Sequence, residues 1–361
     1  MDENSPLRQS ALFVDEDLIG DTFDLLSGDI HASIKGAQAG EGEYLRSTVF
    51  GRLTAPRPQQ QPVEPIGYAT ASAPASDVPF PGTVDVAATT PTTVWSEAYG
   101  TWSERAGDGN AAALSARSGG VFIGADTLVN GWQVGVLGGF GRSSYAVDEH
   151  ASSATSSNYH VGAYAGTSFG AVTLRSGAGY TLSTVETTRD VTIPESQELT
   201  AAYNAGLAQV FTEVGYRLET ETMTLEPFAG LALADLSTDA YAETGGDAAL
   251  TADASRTDIA FSTLGLRASA GVDLAGAPAL LTGMVGWRHA TGDTGSTATH
   301  GFDGSQAFTV GGLPVAEDAL LLQLGLGVTL GASTTLDLSY DGEFAVDNSR
   351  QALRGGLTTR F

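Results

Sequence analysis

The stretch TTLDLSYDGEFAVDNSRQALRGGLTTRF, residues 334–361, contains two alternating segments joined by the turn-forming sequence DNS at 347–349. Successive side chains of a strand point to opposite faces, so Leu336 and Leu338 lie on one face and Asp337 lies on the other. In the second segment, apolar residues alternate with arginines. The stretch therefore predicts two strands, each with an apolar face and a charged face.

Two architectures can accommodate such strands. A soluble β-sandwich would bury the apolar faces against a second sheet, whereas a transmembrane barrel exposes them to lipid and turns the charged faces towards a lumen. The final residue, Phe361, falls in register with the apolar face, although soluble chains usually end in a polar, frayed tail. This aromatic end favours the barrel.

Charge and composition agree with the barrel. Of 361 residues, 42 are acidic and 17 are basic, for a formal net charge of −25. Such an excess of carboxylates repels phosphates, so no nucleic-acid partner is expected. Charged residues make up only 16% of the chain, against roughly 25% in ordinary globular domains. With 46 glycines and many aromatic residues, the composition is typical of an outer-membrane barrel and not of a disordered acidic tail.

Several classes of reactive site are absent from the sequence. The lack of cysteine excludes disulfides, thiol catalysis and cysteine metal sites. Lys35 is the only lysine and lies in no phosphate-binding loop, and the five histidines lack metal-ligand spacing. The sequence GTSFG at 166–170 matches G-x-S-x-G, but no helical pattern follows, so a hairpin turn is predicted instead of a nucleophile elbow. We therefore expect no enzyme, no cofactor and no metal.

Residues 11–53 carry apolar residues at steps of three and four, which is helical spacing. Asp21 is the predicted N-cap, and Gly36, Gly40 and Gly42 weaken the middle, so we expect one helix with a soft joint or two helices. A packing helix of a globular domain would give the same pattern. The second half presents the set Tyr44, Leu45, Arg46, Val49, Phe50, Arg52 and Leu53.

Three regions follow from the rest of the chain. After the helical segment 1–53, prolines among Gln, Ala, Ser and Thr make 54–93 an extended linker. Residues 94–361 contain about twelve β-type segments, which makes this region the predicted barrel. Short and long breaks between these segments largely alternate along the chain. Bacterial outer-membrane barrels show the same alternation of short turns and long loops. The first ten residues lack the apolar core of a signal peptide, so we expect a longer precursor.

Several stretches carry a family resemblance: LLSGDIHASIKGA at 25–37, YLRSTVFGRL at 44–53, WSEAYGTWSERAGDGNAAALSARSGGVFIGAD at 95–126, EPFAGLALADLSTDAYAETGG at 226–246, FSTLGLRASA at 261–270 and GWRHATGD at 286–293. In this order and spacing the chain resembles the translocator (β) domain of classical autotransporters, the type V secretion proteins. The resemblance implies an all-β fold, a twelve-stranded antiparallel transmembrane β-barrel with an N-terminal α-helix in its lumen. It also implies export of an upstream passenger and its anchoring at the surface of a Gram-negative cell.

The resemblance extends to partners and residues. It implies outer-membrane lipid and lipopolysaccharide as surroundings, the barrel-assembly machinery as a partner, and a monomeric barrel. The assembly machinery would read a signal at Leu353, Leu357, Thr359, Arg360 and Phe361. The set from Tyr44 to Leu53 would form the lumen helix. Some of six charged residues expected to line the lumen would contact this helix: Glu213, Arg217, Glu226, Arg267, Arg288 and Glu343.

Two functions remain open at this stage. The first is a translocator and surface anchor without catalysis, and the second is a passive solute-conducting outer-membrane pore whose N-terminal residues lie outside the lumen. A soluble esterase is a weaker third possibility. Some autotransporters cleave their own passenger inside the barrel at an asparagine, but residues 10–53 contain none, so we expect no such cleavage.

Overall fold

The structure, a computed structural model, describes residues 6–55, 92–193, 195–331 and 333–361. Among these residues, helices come first and strands follow. Most of the predicted linker, 54–93, lies outside the described residues.

Three α-helices precede the strands, and they are α1 (Pro6–Ala11), α2 (Ile19–Ser27) and α3 (Asp29–Thr54). Single 3-10 turns cover Glu16–Leu18 and Asp148–His150. The joint between α2 and α3 is Gly28, whose φ of 69° is a left-handed conformation that glycine adopts readily. The predicted joint at the three central glycines is wrong, because α3 is continuous through them, and Asp21 lies inside α2 and not at its N-cap.

Seventeen strands follow: β1 (Thr93–Arg105), β2 (Leu114–Val129), β3 (Trp132–Val147), β4 (Ser152–Phe169), β5 (Val172–Val191), β6 (Gln197–Tyr216), β7 (Leu218–Glu219), β8 (Thr224–Thr238), β9 (Tyr241–Ala242), β10 (Leu250–Ala252), β11 (Ser255–Leu274), β12 (Ala277–Gly292), β13 (Thr297–Phe302), β14 (Phe308–Gly311), β15 (Asp318–Leu330), β16 (Thr334–Ala345) and β17 (Asn348–Arg360). Twelve long strands form the wall, in the order β1–β6, β8, β11, β12, β15, β16, β17. Each pairs antiparallel with the next, and β1 pairs with β17. The ring is therefore closed, as strands in lipid must be, and the predicted barrel is confirmed.

The wall strands expose apolar side chains outwards and bury polar ones inwards. Val136 and Leu338 are 62% and 60% exposed on the outside, whereas Glu213 and Arg354 are buried. An apolar outer face and a polar inner face are the pattern expected of a transmembrane barrel with a lumen. The alternation predicted for residues 334–361 is observed, with Leu336 outside and Glu343 inside.

The two rims of the barrel differ. At one rim, tight turns connect the wall strands; Asn130 and Gly131, for example, adopt φ values of 51° and 83° as a two-residue hairpin requires. Thr93 pairs with Arg360 at this short-turn rim. The opposite, long-loop rim carries the short strands β9, β10, β13 and β14, which pair in a small separate sheet. The sequence pattern predicted only extended loops there.

Helix α3 passes through the barrel from one rim to the other. At its start, Asp29 accepts hydrogen bonds from the long-loop rim, and near its end Arg52 contacts Asp126 near the short-turn rim. Wall residues surround the helix, including Phe122, Phe211 and others of a shared apolar core. Among the described residues, no helix combines the length and the apolarity that crossing a membrane requires.

Candidate functional site

At the long-loop rim, a buried ionic cluster holds the beginning of α3. His31 Nε2 lies 2.9 Å from Glu243 Oε1, and Arg189 donates to the two oxygens of Glu243 at 3.1 and 2.7 Å. Another nitrogen of Arg189 donates to the carbonyl of Leu25 at 2.6 Å. Because Arg189 is only 1% exposed, water cannot replace these contacts. Wall, loop and helix are thereby joined in one network.

Two groups of this rim, both outside the membrane-spanning strands, have strongly lowered pKa values. Burial by itself would raise the pKa of Glu243, but the hydrogen bonds from His31 and Arg189 outweigh it and lower the pKa to about 2. Burial lowers the pKa of His300 to about 3, so its imidazole is neutral at physiological pH. Tyr241 lies between His31 and His300: its ring stacks on the ring of His31, and its hydroxyl lies 3.1 Å from His300 Nδ1.

Further along the helix, the side chain of Lys35 is enclosed between loop and wall. Its ammonium group donates to Ser255 Oγ at 2.8 Å and to the Thr297 carbonyl at 3.2 Å. Within the described ranges, no carboxylate lies within 4.0 Å of it as an ion-pair partner. Neutral oxygens of the rim therefore replace the water that a buried cation loses.

Glu41, between Gly40 and Gly42 of α3, is likewise buried among neutral groups. One of its oxygens accepts from Ser118 at 3.2 Å and from Tyr145 at 2.7 Å, and the other accepts from Asn158 at 3.2 Å. Three strands thus supply donors to a single helix carboxylate. The sequence pattern did not single out this residue, because a lone glutamate on a helix usually faces solvent.

The predicted lumen charges Arg288 and Glu343 lie beside the helix. Glu343 accepts a hydrogen bond of 3.0 Å from Arg288 and a second from Arg350. Arg350 also donates to the Gly40 carbonyl at 2.8 Å, and Arg288 lies 3.8 Å from Glu43 of the helix. The ion pairs of the wall therefore also contact α3, through the backbone carbonyl of Gly40 and the side chain of Glu43.

Tyr44 and Arg46 of the predicted lumen-helix set form direct hydrogen bonds with the wall. The hydroxyls of Tyr44 and Thr101 share a hydrogen bond of 3.0 Å, and Arg46 donates to Gln209 Oε1 at 2.8 Å. Gln209 returns a hydrogen bond of 3.2 Å to the Gly42 carbonyl. Opposite sides of the lumen therefore hold the same two turns of helix.

Arg354 of β17 connects the helix to the seam where the barrel closes. It donates to Thr48 of the helix at 2.9 Å, to Glu97 of β1 at 3.0 Å and to Asp341 of β16 at 2.6 Å. Thr48 also donates to Glu97 at 2.6 Å. One guanidinium therefore bridges three wall strands and α3.

Near the short-turn rim, Arg52 forms a bidentate contact with Asp126, with N–O distances of 2.6 and 3.1 Å. Asp126 also accepts hydrogen bonds from Gln133 at 3.0 Å and from Tyr164 at 2.9 Å. The carboxylate is therefore fully engaged, and it holds the last turn of the helix.

The apolar members of the lumen-helix set fill the space between these polar contacts. Leu45, Val49 and Leu53 are buried in the core shared with the wall. The ring of Phe50 meets that of Phe211 edge-on, with centroids 5.2 Å apart. All seven residues of the set therefore lie against the barrel interior.

Three other predicted lumen charges form a group within the wall. Arg175 contacts Glu213 at 2.9 Å and Glu226 at 2.6 Å, and Arg267 contacts the same two carboxylates at 2.6 and 3.4 Å. These four side chains pair across neighbouring strands and have no described contact with α3. Of the predicted lumen charges, these three therefore lie apart from α3, whereas Arg288 and Glu343 lie beside it.

Arg217 does not line the wall beside the helix. Strand β6 ends at Tyr216, so Arg217 lies in the following turn at the short-turn rim. Its side chain is 44% exposed and lies 3.6 Å from Glu219. The strand alternation was extended one residue too far in predicting this position.

The residues predicted as an assembly signal lie on β17 and directly after it. Leu353, Leu357 and Phe361 point outwards and are exposed, whereas Thr359 and Arg360 are half-buried. The backbone N–H of Phe361 donates to the Thr92 carbonyl at 3.0 Å. An exposed apolar row on the closing strand is available for contacts, but what reads it stays a prediction.

The G-x-S-x-G match lies in a hairpin, as predicted. Ser168 is within β4, and Gly170, with a φ of 62°, turns the chain into β5. In the part of the chain that the structure describes, no group of three or more His, Asp or Glu side chains could hold a metal ion.

The sequence reasoning missed several residues that form these contacts: Arg189, Glu243, Glu97, Asp126 and Gln209. It placed Arg354 on the charged face of the last strand but assigned it no partner. A usable signal existed for Gln209 and Arg189, because each shares the inward parity of the predicted lumen residue Glu213 on its own strand or on the neighbouring one. Glu243 carried no such signal, since it belongs to a loop that the fold brings back to the helix.

The chain is similar to known proteins in sequence and in fold. Two extracellular serine proteases of Serratia marcescens are 33% and 32% identical to the chain over 343 and 339 residues, which is 93% of this chain in each case. The chain spans 30% of the length of each of these relatives.

Solved translocator structures have the same fold. The translocator domain of the autotransporter NalP from Neisseria meningitidis superposes with a TM-score of 0.68 at 16% identity, covering 91% of this chain and 98% of that one. The β-domain of the Bordetella autotransporter BrkA gives a TM-score of 0.56 at 19% identity, with 75% and 99% coverage. The profile of the family described as "Autotransporter beta-domain" matches residues 94–341. With its closed twelve-stranded wall and helix-filled lumen, the chain belongs to the autotransporter β-domain family.

Proposed function

We propose that this chain exports an N-terminal passenger through the barrel lumen and afterwards holds it at the long-loop rim, with α3 filling the route. As a member of its family, the chain is an outer-membrane translocator for passenger export. The direction of α3 is the single observation that carries the proposed route. The helix enters at the long-loop rim and ends near the short-turn rim, where Thr93 begins the wall.

The orientation in the membrane follows from the unequal rims. Bacterial outer-membrane barrels have short turns on the periplasmic side and longer loops outside. Residues before Asp29 then emerge on the cell surface, and a passenger attached there would be displayed outside. The identity of that passenger depends on the protein segment attached there. The name extracellular serine protease describes the two relatives and not this chain.

The helix contacts support an anchoring role over a solute-conducting one. Polar contacts occur along the whole length of α3, from His31 to Arg52, and apolar side chains fill the gaps between them. A pore for solutes needs a continuous aqueous path, whereas here the lumen is occupied by a helix of about 10–12 Å across. We therefore rank the passive pore second.

We further propose a role without catalysis and a monomeric barrel in outer-membrane lipid. The outward row Leu353, Leu357 and Phe361 is proposed as the signal that the barrel-assembly machinery reads. Closure by β1 and β17 supports the monomer, since it leaves no wall edge for pairing with another chain.

Surface labelling of intact cells tests the route. A secretion signal and an epitope tag are placed before Met1, the protein is expressed in a Gram-negative host, and antibody access is measured. A heat-shifted gel band serves as the control for a folded barrel. Antibody binding to intact cells is expected. A folded barrel whose tag becomes accessible only after the outer membrane is opened would contradict the route and favour the pore.

A further inference from the structure

Two arginines on the outside of the barrel are without a carboxylate partner. Arg117 of β2 and Arg142 of β3 are both exposed. Their chain neighbours Ser118 and Ser143 are buried in the lumen and share a hydrogen bond of 2.9 Å. Because successive side chains of a strand point to opposite faces, the two arginines face outwards.

The strand register brings these guanidinium groups close together. Arg117 lies opposite Ser144, and Arg142 is two residues from Ser144 on the same strand, so the arginines are diagonal neighbours on one face. Diagonal neighbours of this kind have Cα atoms about 7–8 Å apart, within reach of two long side chains binding one group.

Such a pair is unusual for this chain. Among the described strand residues, the arginines on the outer face are Arg117, Arg142 and Arg256, and Arg256 is paired with Asp235. Neither Arg117 nor Arg142 has a hydrogen bond or an ion pair within the described ranges. Glu104, the outward carboxylate on β1 two positions beyond Trp102, the residue opposite Arg117, also makes no ion pair with Arg117. On a chain of net charge −25, this is a local concentration of uncompensated positive charge.

The surroundings indicate the level of the pair in the membrane. On the side towards the short-turn rim, the outer face continues with the aromatic pair Phe140 and Tyr159, whose ring centroids are 5.3 Å apart, and then with Val136. Aromatic girdles of outer-membrane barrels lie at the interface between acyl chains and headgroups. Arg117 and Arg142 therefore lie just beyond that interface, on the long-loop side.

We propose that Arg117 and Arg142 bind the phosphate of an anionic phosphorylated lipid in the outer leaflet. Guanidinium groups bind phosphate oxygens through paired charge-assisted hydrogen bonds, and Ser144 and Ser157 supply hydroxyls beside them. The acyl chains of the lipid pack against the aromatic pair below. Assignment to the outer leaflet rests on the proposed orientation of the barrel, whereas the binding itself does not.

The test uses the full chain in nanodiscs of phosphatidylcholine, with diphosphoryl lipid A as the probe. Native mass spectrometry measures the lipid A retained by wild type, by the double variant R117Q/R142Q and by R256Q. The matched control R256Q removes an outward arginine that Asp235 already neutralises. We expect the double variant to retain lipid A roughly tenfold more weakly, because two exposed ion pairs together amount to about that factor. R256Q should match wild type.

Three outcomes would overturn the proposal. Equal retention by wild type and the double variant would mean that these arginines do not bind the lipid, and equal losses in R256Q would mean a general charge effect. If inorganic phosphate displaced bound lipid A as effectively as added lipid A does, the site would be an anion site without a lipid requirement. If the glutamine variant R117Q/R142Q fails to give a heat-shifted band, R117K/R142K is measured in its place. Because it keeps the charges, R117K/R142K should retain most of the binding. Nanodiscs expose both faces of the bilayer to solvent, so lipid binding is measured there whichever way the barrel is oriented. An error in the proposed orientation would therefore appear only in the surface-labelling experiment.

Discussion

Arg52 in the last turn of α3 and Asp126 of β2 form a bidentate ion pair, with N–O distances of 2.6 and 3.1 Å. The two side chains are 14% and 4% exposed, so water screens the pair only weakly. This contact fixes the end of the helix that leads towards the start of the wall. A charge left without its direct partner at such a site is costly, because little water reaches it.

Asp126→Asn should therefore lower the free energy of unfolding by about 3 kcal/mol, since it leaves Arg52 without its counter-ion. Urea unfolding of the barrel in lipid vesicles measures the change. Asp235→Asn is the matched control: its partner Arg256 is exposed and screened by water, so the loss of this pair should cost far less than the loss of the lumen pair. Equal costs for the two variants would contradict the importance assigned to the lumen pair.

Two glycines of α3 should respond in opposite directions to alanine. A Cβ at Gly36 would lie 2.9 Å from the Leu313 carbonyl oxygen and would also press on Ser296, whereas a Cβ at Gly51 would meet nothing within 4 Å. Gly51→Ala should stabilise by up to ~1 kcal/mol through helix propensity. Gly36→Ala should destabilise by about 1–3 kcal/mol, because loop and helix must separate.

The same pair of variants can be examined in planar bilayers. Displacement of α3 in Gly36→Ala should increase ion conductance, while Gly51→Ala should behave as wild type. An increase in both variants, or in neither, would show that close packing at Gly36 does not keep the lumen filled.

Acid should weaken the cluster at the long-loop rim. The pKa of Glu243 in the folded state is about 2, below its ordinary 4.5, so its stabilisation is present above about pH 4.5 and is lost as the pH falls towards 2. The pKa of His300 is about 3 instead of 6.5. Between those values the unfolded chain binds a proton that the folded chain does not, so stability again falls on acidification.

Melting temperatures of wild type and His300→Gln, measured between pH 7 and pH 3, separate the two groups. Above about pH 4.5 the histidine contribution dominates, so the variant should lose less stability per pH unit there than wild type does. Below that value Glu243 adds the same loss of stability to both proteins, while the difference due to His300 persists down to about pH 3. Parallel curves throughout would mean that His300 is not the responsible group.

The outer face should tolerate charge according to depth. Leu324 is 62% exposed in the middle of β15, and Leu330 is 50% exposed where the strand ends at the short-turn rim. Arginine at position 324 should destabilise the barrel in vesicles by about 2–4 kcal/mol, and arginine at position 330 by only about 0–1 kcal/mol. The same measurement in detergent should reduce the difference. Equal costs in vesicles would contradict the placement of Leu324 within the bilayer.

Much of the fold follows from local patterns. Alternation along residues 334–361 predicted strands with one lipid face and one lumen face, since side-chain direction in a strand depends only on sequence parity. The helical spacing of Tyr44, Leu45 and Val49 likewise identified the lumen segment. The joint at Gly28 was not identified from the sequence. The weak point was assigned instead to Gly36, Gly40 and Gly42. In the structure these glycines allow α3 to pack closely against Ser296, Arg105 and Leu207.

The sequence by itself determined the approximate strand number and the faces of the strands, because these depend on a periodicity of two residues that neighbours in the chain encode. The class of protein followed from the order and spacing of the family-like stretches, not from periodicity. Only the tertiary structure decided which charges meet. Arg189, Glu243 and His31 are brought together by barrel closure and by a loop folding back over the rim. Such pairs lie far apart in the chain, and their energies depend on burial and distance, which no local pattern specifies.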